Sequence, residues 1–126
     1  MTDIPTDLYY TKSHEWVRQE DKDTVSVGIS DYAQHAMGDI VFLELPEVGR
    51  MVGAGEEVGV IESVKSAADI YTPLSGEIIE VNDAMLTEPA QLNRTPYQWL
   101  FKVRLQDSEA LQTLLRADDY MAICEE

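Results

Sequence analysis

Thr24-Val25-Ser26-Val27-Gly28-Ile29 alternates polar and apolar residues with the period of two that a half-buried strand needs. Wound into a helix, the same order would scatter its apolar side chains around the cylinder. Short segments of β-forming character recur along the chain, at residues 39–45 (closed by Pro46), 58–62, 69–72 and 77–81. In residues 97–105, Trp99, Phe101, Val103 and Leu105 again recur at period two, which predicts a strand there. Turn residues stand between these segments: Asp21-Lys22-Asp23, Glu47-Val48-Gly49, Gly53-Ala54-Gly55-Glu56, Pro73 and Ser75-Gly76. The chain therefore reads as mainly β with short flanking helices. One helix is predicted through Tyr32, Ala33, Ala36 and Met37, capped by Ser30 or Asp31 and ended by Gly38. A second starts at Asp107 or Ser108, with Ala110, Leu111, Leu114 and Leu115 on one face. Asp118-Asp119 caps a last one, so C-terminal helices occupy about 107–124. Residues 82–96 read as a polar loop.

Gly38-Asp39-Ile40-Val41-Phe42-Leu43 is echoed by Gly76-Glu77-Ile78-Ile79-Glu80-Val81. Two copies are too few for a solenoid. They suit two similar halves packed face to face around one core, with chance similarity as the alternative. Between strands 58–62 and 69–72 lies Ser63-Val64-Lys65-Ser66-Ala67-Ala68, read as a hairpin tip although it lacks the Asn-Gly or Gly-Gly pair of a tight turn.

A length of 126 residues fits one domain over 1–126, and 44% hydrophobic residues are enough for a modest core. The charge balance, 24 acids against 9 bases, gives −15. Nucleic-acid binding needs a basic surface, and so does docking on an anionic membrane. An acidic field favours solubility and can also steer docking onto basic partners. Cys124 is the single cysteine, which excludes a disulfide framework and a thiolate metal cluster, and it reads as helix packing in a reducing compartment. Met1-Thr2-Asp3-Ile4-Pro5 has no targeting pattern, and no apolar run reaches the length of a membrane span. The bacterial cytoplasm is the simplest expected location.

No catalytic constellation stands out. His14 and His35 lack metal-ligand spacing, so no metal site is expected. Gly53-Ala54-Gly55 continues into neither a dinucleotide loop nor a P-loop, and no Gly-x-Ser-x-Gly elbow is present. Spread triads stay open, but the prior for an enzyme falls. Lys65 sits among small residues that leave it accessible. A nucleophilic lysine needs apolar burial or a neighbouring cation, whereas the nearby acids Glu62 and Asp69 favour the ammonium form. Lys65 thus reads either as a substrate of modification or as an ordinary solvated lysine.

Glu62-Ser63-Val64-Lys65-Ser66-Ala67-Ala68-Asp69-Ile70-Tyr71 resembles the lipoylation segment of glycine cleavage H proteins. Tyr10-Thr11-Lys12-Ser13-His14-Glu15-Trp16-Val17 resembles the N-terminal signature of that family, and Gly28-Ile29-Ser30-Asp31-Tyr32-Ala33-Gln34 the start of its first helix. Residues 38–49, residues 75–82 and the C-terminal helices fit as well, so the resemblance covers nearly the whole chain in one register. It implies a lipoyl/biotinyl-type barrel-sandwich hybrid of two antiparallel sheets. Lys65, on an exposed hairpin, would carry lipoic acid as an N6-lipoyl amide, which removes the lysine's charge.

The same resemblance implies a non-catalytic shuttle. The P protein, a pyridoxal-phosphate glycine decarboxylase, would load an aminomethyl group. The T protein, an aminomethyltransferase, would pass the one-carbon unit to tetrahydrofolate, and the L protein, dihydrolipoyl dehydrogenase, would reoxidise the dithiol. A lipoate ligase or a lipoyl/octanoyl transferase would attach the group. Glu62, Ser63, Val64, Ser66, Ala67 and Ala68 become recognition residues around the lysine, with turn chemistry an equal reading for Ser63. Glu15 and Asp69 match positions near the cleft where the loaded arm folds back, with solvated acids as the alternative; Trp16 reads as a core aromatic.

Two departures from the family pattern stand out. Pro96-Tyr97-Gln98-Trp99 is shorter than the usual glycine-containing loop. His35 stands one place before the family's helical histidine, and one helical step turns a side chain by roughly 100°. Three other readings of the lysine exist. A lipoyl relay to other lipoylated enzymes needs the same residue. A biotin carrier would have methionines where Val64 and Ser66 stand. In an unmodified acidic interaction module Lys65 would be incidental.

Overall fold

The computed structural model describes residues 5–94 and 97–124. Residues 1–4 of the N-terminal segment, Pro96 of the shortened loop, and Glu125-Glu126 lie outside the described residues.

The predicted strands assemble into two antiparallel sheets. The larger comprises β1 (Tyr9–Tyr10), β2 (Glu15–Gln19), β3 (Thr24–Ile29), β5 (Met51–Val52), β8 (Gly76–Val81) and β9 (Phe101–Leu105), ordered β1-β2-β3-β9-β8-β5. The smaller comprises β4 (Ile40–Glu44), β6 (Glu57–Ser63) and β7 (Ala67–Tyr71), ordered β4-β6-β7. Alternation puts Val25, Val27, Ile78, Phe101 and Val103 on the inner face of the large sheet, in one apolar cluster with Ile40, Leu43, Ile61 and Ile70 of the small one. On β2, Val17 joins that cluster. Its neighbour Trp16 joins a second, made of Leu8, Tyr10, Ala117 and Tyr120, which the C-terminal helix covers. This is the barrel-sandwich hybrid expected from the sequence.

The internal echo is real in three dimensions. Its two copies fall on β4 and β8, one in each sheet. Ile40 and Ile78 are both buried, and each strand has a register shift at the same place, between Ile40 and Phe42 in one and between Ile78 and Glu80 in the other. A bulge locally breaks the alternation and re-aims the following side chains. Hence Val41 and Phe42 both face solvent.

Helix α1 (Asp31–Met37) forms where predicted. Ser30 Oγ accepts the Ala33 N–H at 3.2 Å, and Gly38 ends the helix at φ 85°. Four expectations need correction. Residues 82–96 contain α2 (Asp83–Thr87) and α3 (Gln91–Arg94), held by buried Met85 and Leu92. Each is little longer than one turn, too short to display a helical period. The strand expected from residue 97 begins at Phe101, and Tyr97 takes φ 61°, outside strand geometry. The segment after Asp107 is a 3₁₀ helix, Ser108–Thr113, ended by extended Leu114, so Leu115 bridges to Tyr10 rather than continuing a helical face. Helix α4 (Ala117–Cys124) then holds Asp118 and Asp119 inside its first turn, where they face the positive end of the helix dipole instead of capping it.

Candidate functional site

Strands β6 and β7 form the hairpin that presents Lys65. Glu62 pairs with Ala67 at its last rung, and Ser63 N–H donates to Ser66 C=O at 2.8 Å. The missing Asn-Gly pair is replaced by one side chain. Buried Ser63 Oγ accepts the amides of Lys65 at 3.3 Å and Ser66 at 3.1 Å, so the turn is pinned from within. The Val64 amide donates outward, to Asp39 C=O at 3.1 Å, which ties the tip to the chain just before β4.

Lys65 is exposed, and its amine makes no hydrogen bond or ion pair with any described residue. Its stem runs beside Gly38, where an added Cβ would lie 3.5 Å from Lys65 Cε. Val64, Ser66, Ala67 and Ala68 are exposed around it, and Glu62 is half-buried. The sequence-predicted recognition residues therefore form one surface, except Ser63, which sits beneath the turn as its pin.

Glu15 lies elsewhere, at the start of β2, and is 2% exposed. Its Oε1 accepts from Thr11 Oγ1 and Ser13 Oγ, both at 2.6 Å, while Tyr71 N–H of β7 donates to Oε2 at 3.4 Å. Its carboxylate thus joins the edge of the lysine-bearing sheet to the large sheet. Burial raises its pKa, and the hydrogen bonds oppose that shift without cancelling it. The solvated-acid reading therefore does not describe Glu15. Asp69 does face solvent, opposite Val60, with Tyr71 Oη donating to it at 3.5 Å. Glu15 and Asp69 are both bonded to Tyr71, one at its backbone N–H and the other at its hydroxyl, and neither bonds to the Lys65 side chain.

The sequence reading missed the donors that hold Glu15. The spacing Thr11-x-Ser13-x-Glu15 was the available signal, and only folding brings both hydroxyls to one oxygen. It also missed a buried chain beside them, in which His14 Nδ1 lies 2.7 Å from Tyr120 Oη and that hydroxyl lies 2.6 Å from Ser30 Oγ. Tyr120 stacks on Tyr10 with ring centroids 4.6 Å apart. Burial lowers the His14 pKa and raises those of Tyr10 and Tyr120. His35, exposed on α1, pairs with Asp31 at 3.3 Å. Among the described residues, no group of three or more His, Cys, Asp or Glu side chains could hold a metal ion, and no helix is long and apolar enough to cross a membrane.

Fold and site together define a carrier-type barrel-sandwich domain with one accessible lysine on a pinned hairpin. The sequence profile described as Glycine cleavage H-protein matches residues 8–126. The glycine cleavage system H protein of Alcanivorax borkumensis is 56% identical over 124 residues, covering 97% of this chain and 96% of that one. That of Paraburkholderia xenovorans is 57% identical over 118 residues, covering 93% and 94%. The crystal structure of a glycine cleavage system H protein from Mycobacterium marinum superposes with a TM-score of 0.81 at 40% identity, covering 94% of this chain and 97% of that one. The chain belongs to the glycine cleavage H-protein family.

Proposed function

We propose that this chain is the non-catalytic lipoyl shuttle of a glycine cleavage system, with lipoic acid joined as an amide to Lys65 Nζ. The observation that carries the reading is the lysine itself: exposed, on a turn pinned by Ser63, with an amine bonded to no described residue. Making it an amide discharges a cation that compensates no buried acid, so nothing in the fold has to rearrange. The group fits the residues present. When bound, it supplies a disulfide that accepts both electrons and a one-carbon amine.

The protein's own share is placement. Ser63 fixes the turn, Gly38 leaves room beside the lysine stem, and the exposed side chains of Val64, Ser66, Ala67 and Ala68 give the attaching enzyme a small-residue surface with Glu62 at its edge. Asp69 and Glu15 are the docking residues for a cationic amine on the arm. From Ala67 to Tyr71, the two ends of β7, the chain covers roughly 13 Å at strand rise, a reach suited to a long flexible arm. Glu15 Oε2, with one long hydrogen bond, retains acceptor capacity for that amine.

The partners in this reading are the P, T and L proteins and a lipoate ligase or lipoyl/octanoyl transferase. The chain works as one carrier domain over residues 1–126, in the bacterial cytoplasm. The test is Lys65→Arg, which keeps the charge and cannot form the lipoyl amide. With P protein and glycine, the lipoylated parent supports glycine decarboxylation, and the variant incubated with the same ligase is expected to support none. Equal activity of the two would reject the reading.

A further inference from the structure

Asn93, on the short helix α3 inside the segment expected to be a loop, makes no hydrogen bond to Lys65 or its turn. Its side chain nevertheless bridges the junction between α1 and β4. Asn93 Nδ2 donates to Gly38 C=O at 2.9 Å, and Ile40 N–H donates to Asn93 Oδ1 at 2.8 Å. Those two bonds fix which end of the amide is oxygen, because a carbonyl can only accept and a backbone N–H can only donate.

The Ile40 N–H and the Asp39 C=O belong to one peptide group, which is planar and trans, so they point in opposite directions. Asn93 holds one end of this group. The other end accepts the Val64 N–H at 3.1 Å. Val64 is the residue before Lys65. The resulting line runs from Asn93 Oδ1 through a single rigid peptide to the tip of the lysine hairpin. Each hydrogen bond in such a line polarises the next. Within the turn, the Lys65 and Ser66 amides are satisfied by Ser63, inside the hairpin itself. The Val64–Asp39 bond ties the turn to the chain before β4. Gly38, at the other arm of the Asn93 bridge, is also the residue beside which the Lys65 stem passes.

We infer that Asn93 is a positioning residue for Lys65: its side-chain amide orients the Asp39–Ile40 peptide that anchors the lysine turn, and so sets how the lysine is offered to the attaching enzyme. This rests on the lipoyl-carrier reading. The attachment in question is attack of the Lys65 amine on the acyl carbon of lipoyl adenylate, formed from lipoate and ATP with release of pyrophosphate, with departure of AMP and loss of one proton.

The test uses the full chain in unmodified form. Asn93→Ala removes both bonds. Asn93→Asp is nearly isosteric, keeps the bond from Ile40 and loses the donor to Gly38. Leu111→Ala, in the 3₁₀ helix, serves as a control that weakens the core elsewhere. Two quantities are read: kcat/KM for attachment by a lipoate ligase supplied with lipoate and ATP, and amide hydrogen exchange at Val64. Asn93→Ala is expected to lower kcat/KM and to speed Val64 exchange by roughly threefold to tenfold, the scale of one lost hydrogen bond, and Asn93→Asp, which keeps the bond from Ile40, is expected to do so less. Exchange at Ile61 in the same hairpin should not change, and Leu111→Ala should leave Val64 exchange and kcat/KM as in the parent. Unchanged Val64 exchange in Asn93→Ala, or a loss of kcat/KM no greater than in Leu111→Ala, would overturn the inference. If the parent takes no lipoyl group at all, the carrier reading falls, and the exchange measurement still decides whether Asn93 holds the turn.

Discussion

Lys65 and Glu15 show two different routes from residue to role. The exposure of the lysine was legible in its small, weakly polar neighbours, while its role was legible only through the resemblance of the segment from Glu62 to Tyr71 to a lipoylation segment. Glu15 was legible only as a position. Its burial, and its three donors from Thr11, Ser13 and Tyr71, arise where β2 meets β7, which no local pattern encodes. Its raised pKa has a consequence for stability. The folded protein holds the Glu15 proton to higher pH than the unfolded chain, whose carboxyl titrates near 4.5. Above that pH the unfolded state releases the proton first, so stability falls as pH rises from 4.5 through the folded pKa. Glu15→Gln stays neutral throughout. Its amide facing Tyr71 N–H adds a cost that does not vary with pH. Urea unfolding of parent and variant across pH 4 to 8 should show the parent losing ground to the variant as pH rises. A constant difference would contradict the assignment. Contributions from His14, present in both proteins, cancel in that comparison.

Among the elements, those with local punctuation were read correctly. Helix α1 has its serine cap and terminal glycine within the segment itself, and β3 alternates cleanly. Helices α2 and α3 have no such signal, because they are held by single buried side chains, Met85 and Leu92, against a core that the sequence alone does not display. In the C-terminal segment the helix start at Asp107-Ser108 and the last helix were legible, but the continuous leucine face was not: the leucines have helical spacing, yet Leu115 is captured by backbone pairing with Tyr10. Helix α4 is then fastened through Tyr120, whose hydroxyl lies between His14 and Ser30, the cap of α1. Tyr120→Phe keeps the stack on Tyr10 and removes the hydroxyl from half-buried His14 Nδ1 and from buried Ser30 Oγ, which keeps the Ala33 N–H. The expected loss is about 1–3 kcal/mol of unfolding free energy by urea titration. A loss under about 0.3 kcal/mol would mean that packing alone docks the helix.

The molecule as a body is two unequal halves built around a repeated strand. The repeat was visible in sequence as six aligned residues. Its meaning, one copy per sheet with matching bulges, emerged from the pairing registers. The large sheet balances charge across its strands, with Arg104 3.3 Å from Glu77 and Lys102 3.5 Å from Glu80. The strands of the small sheet carry Glu44, Glu57, Glu62 and Asp69 and no basic residue. Lys65 is the one base at their tip. A lipoyl amide there would leave the strands of the small sheet and the lysine turn without a positive charge, in a chain already at −15. The most direct test is peptide mass spectrometry of the protein purified from lipoate-grown native host cells. The expected result is a lipoyl adduct confined to Lys65. A chain that is bare in the host, and remains bare after incubation with a competent lipoate ligase, would contradict the account.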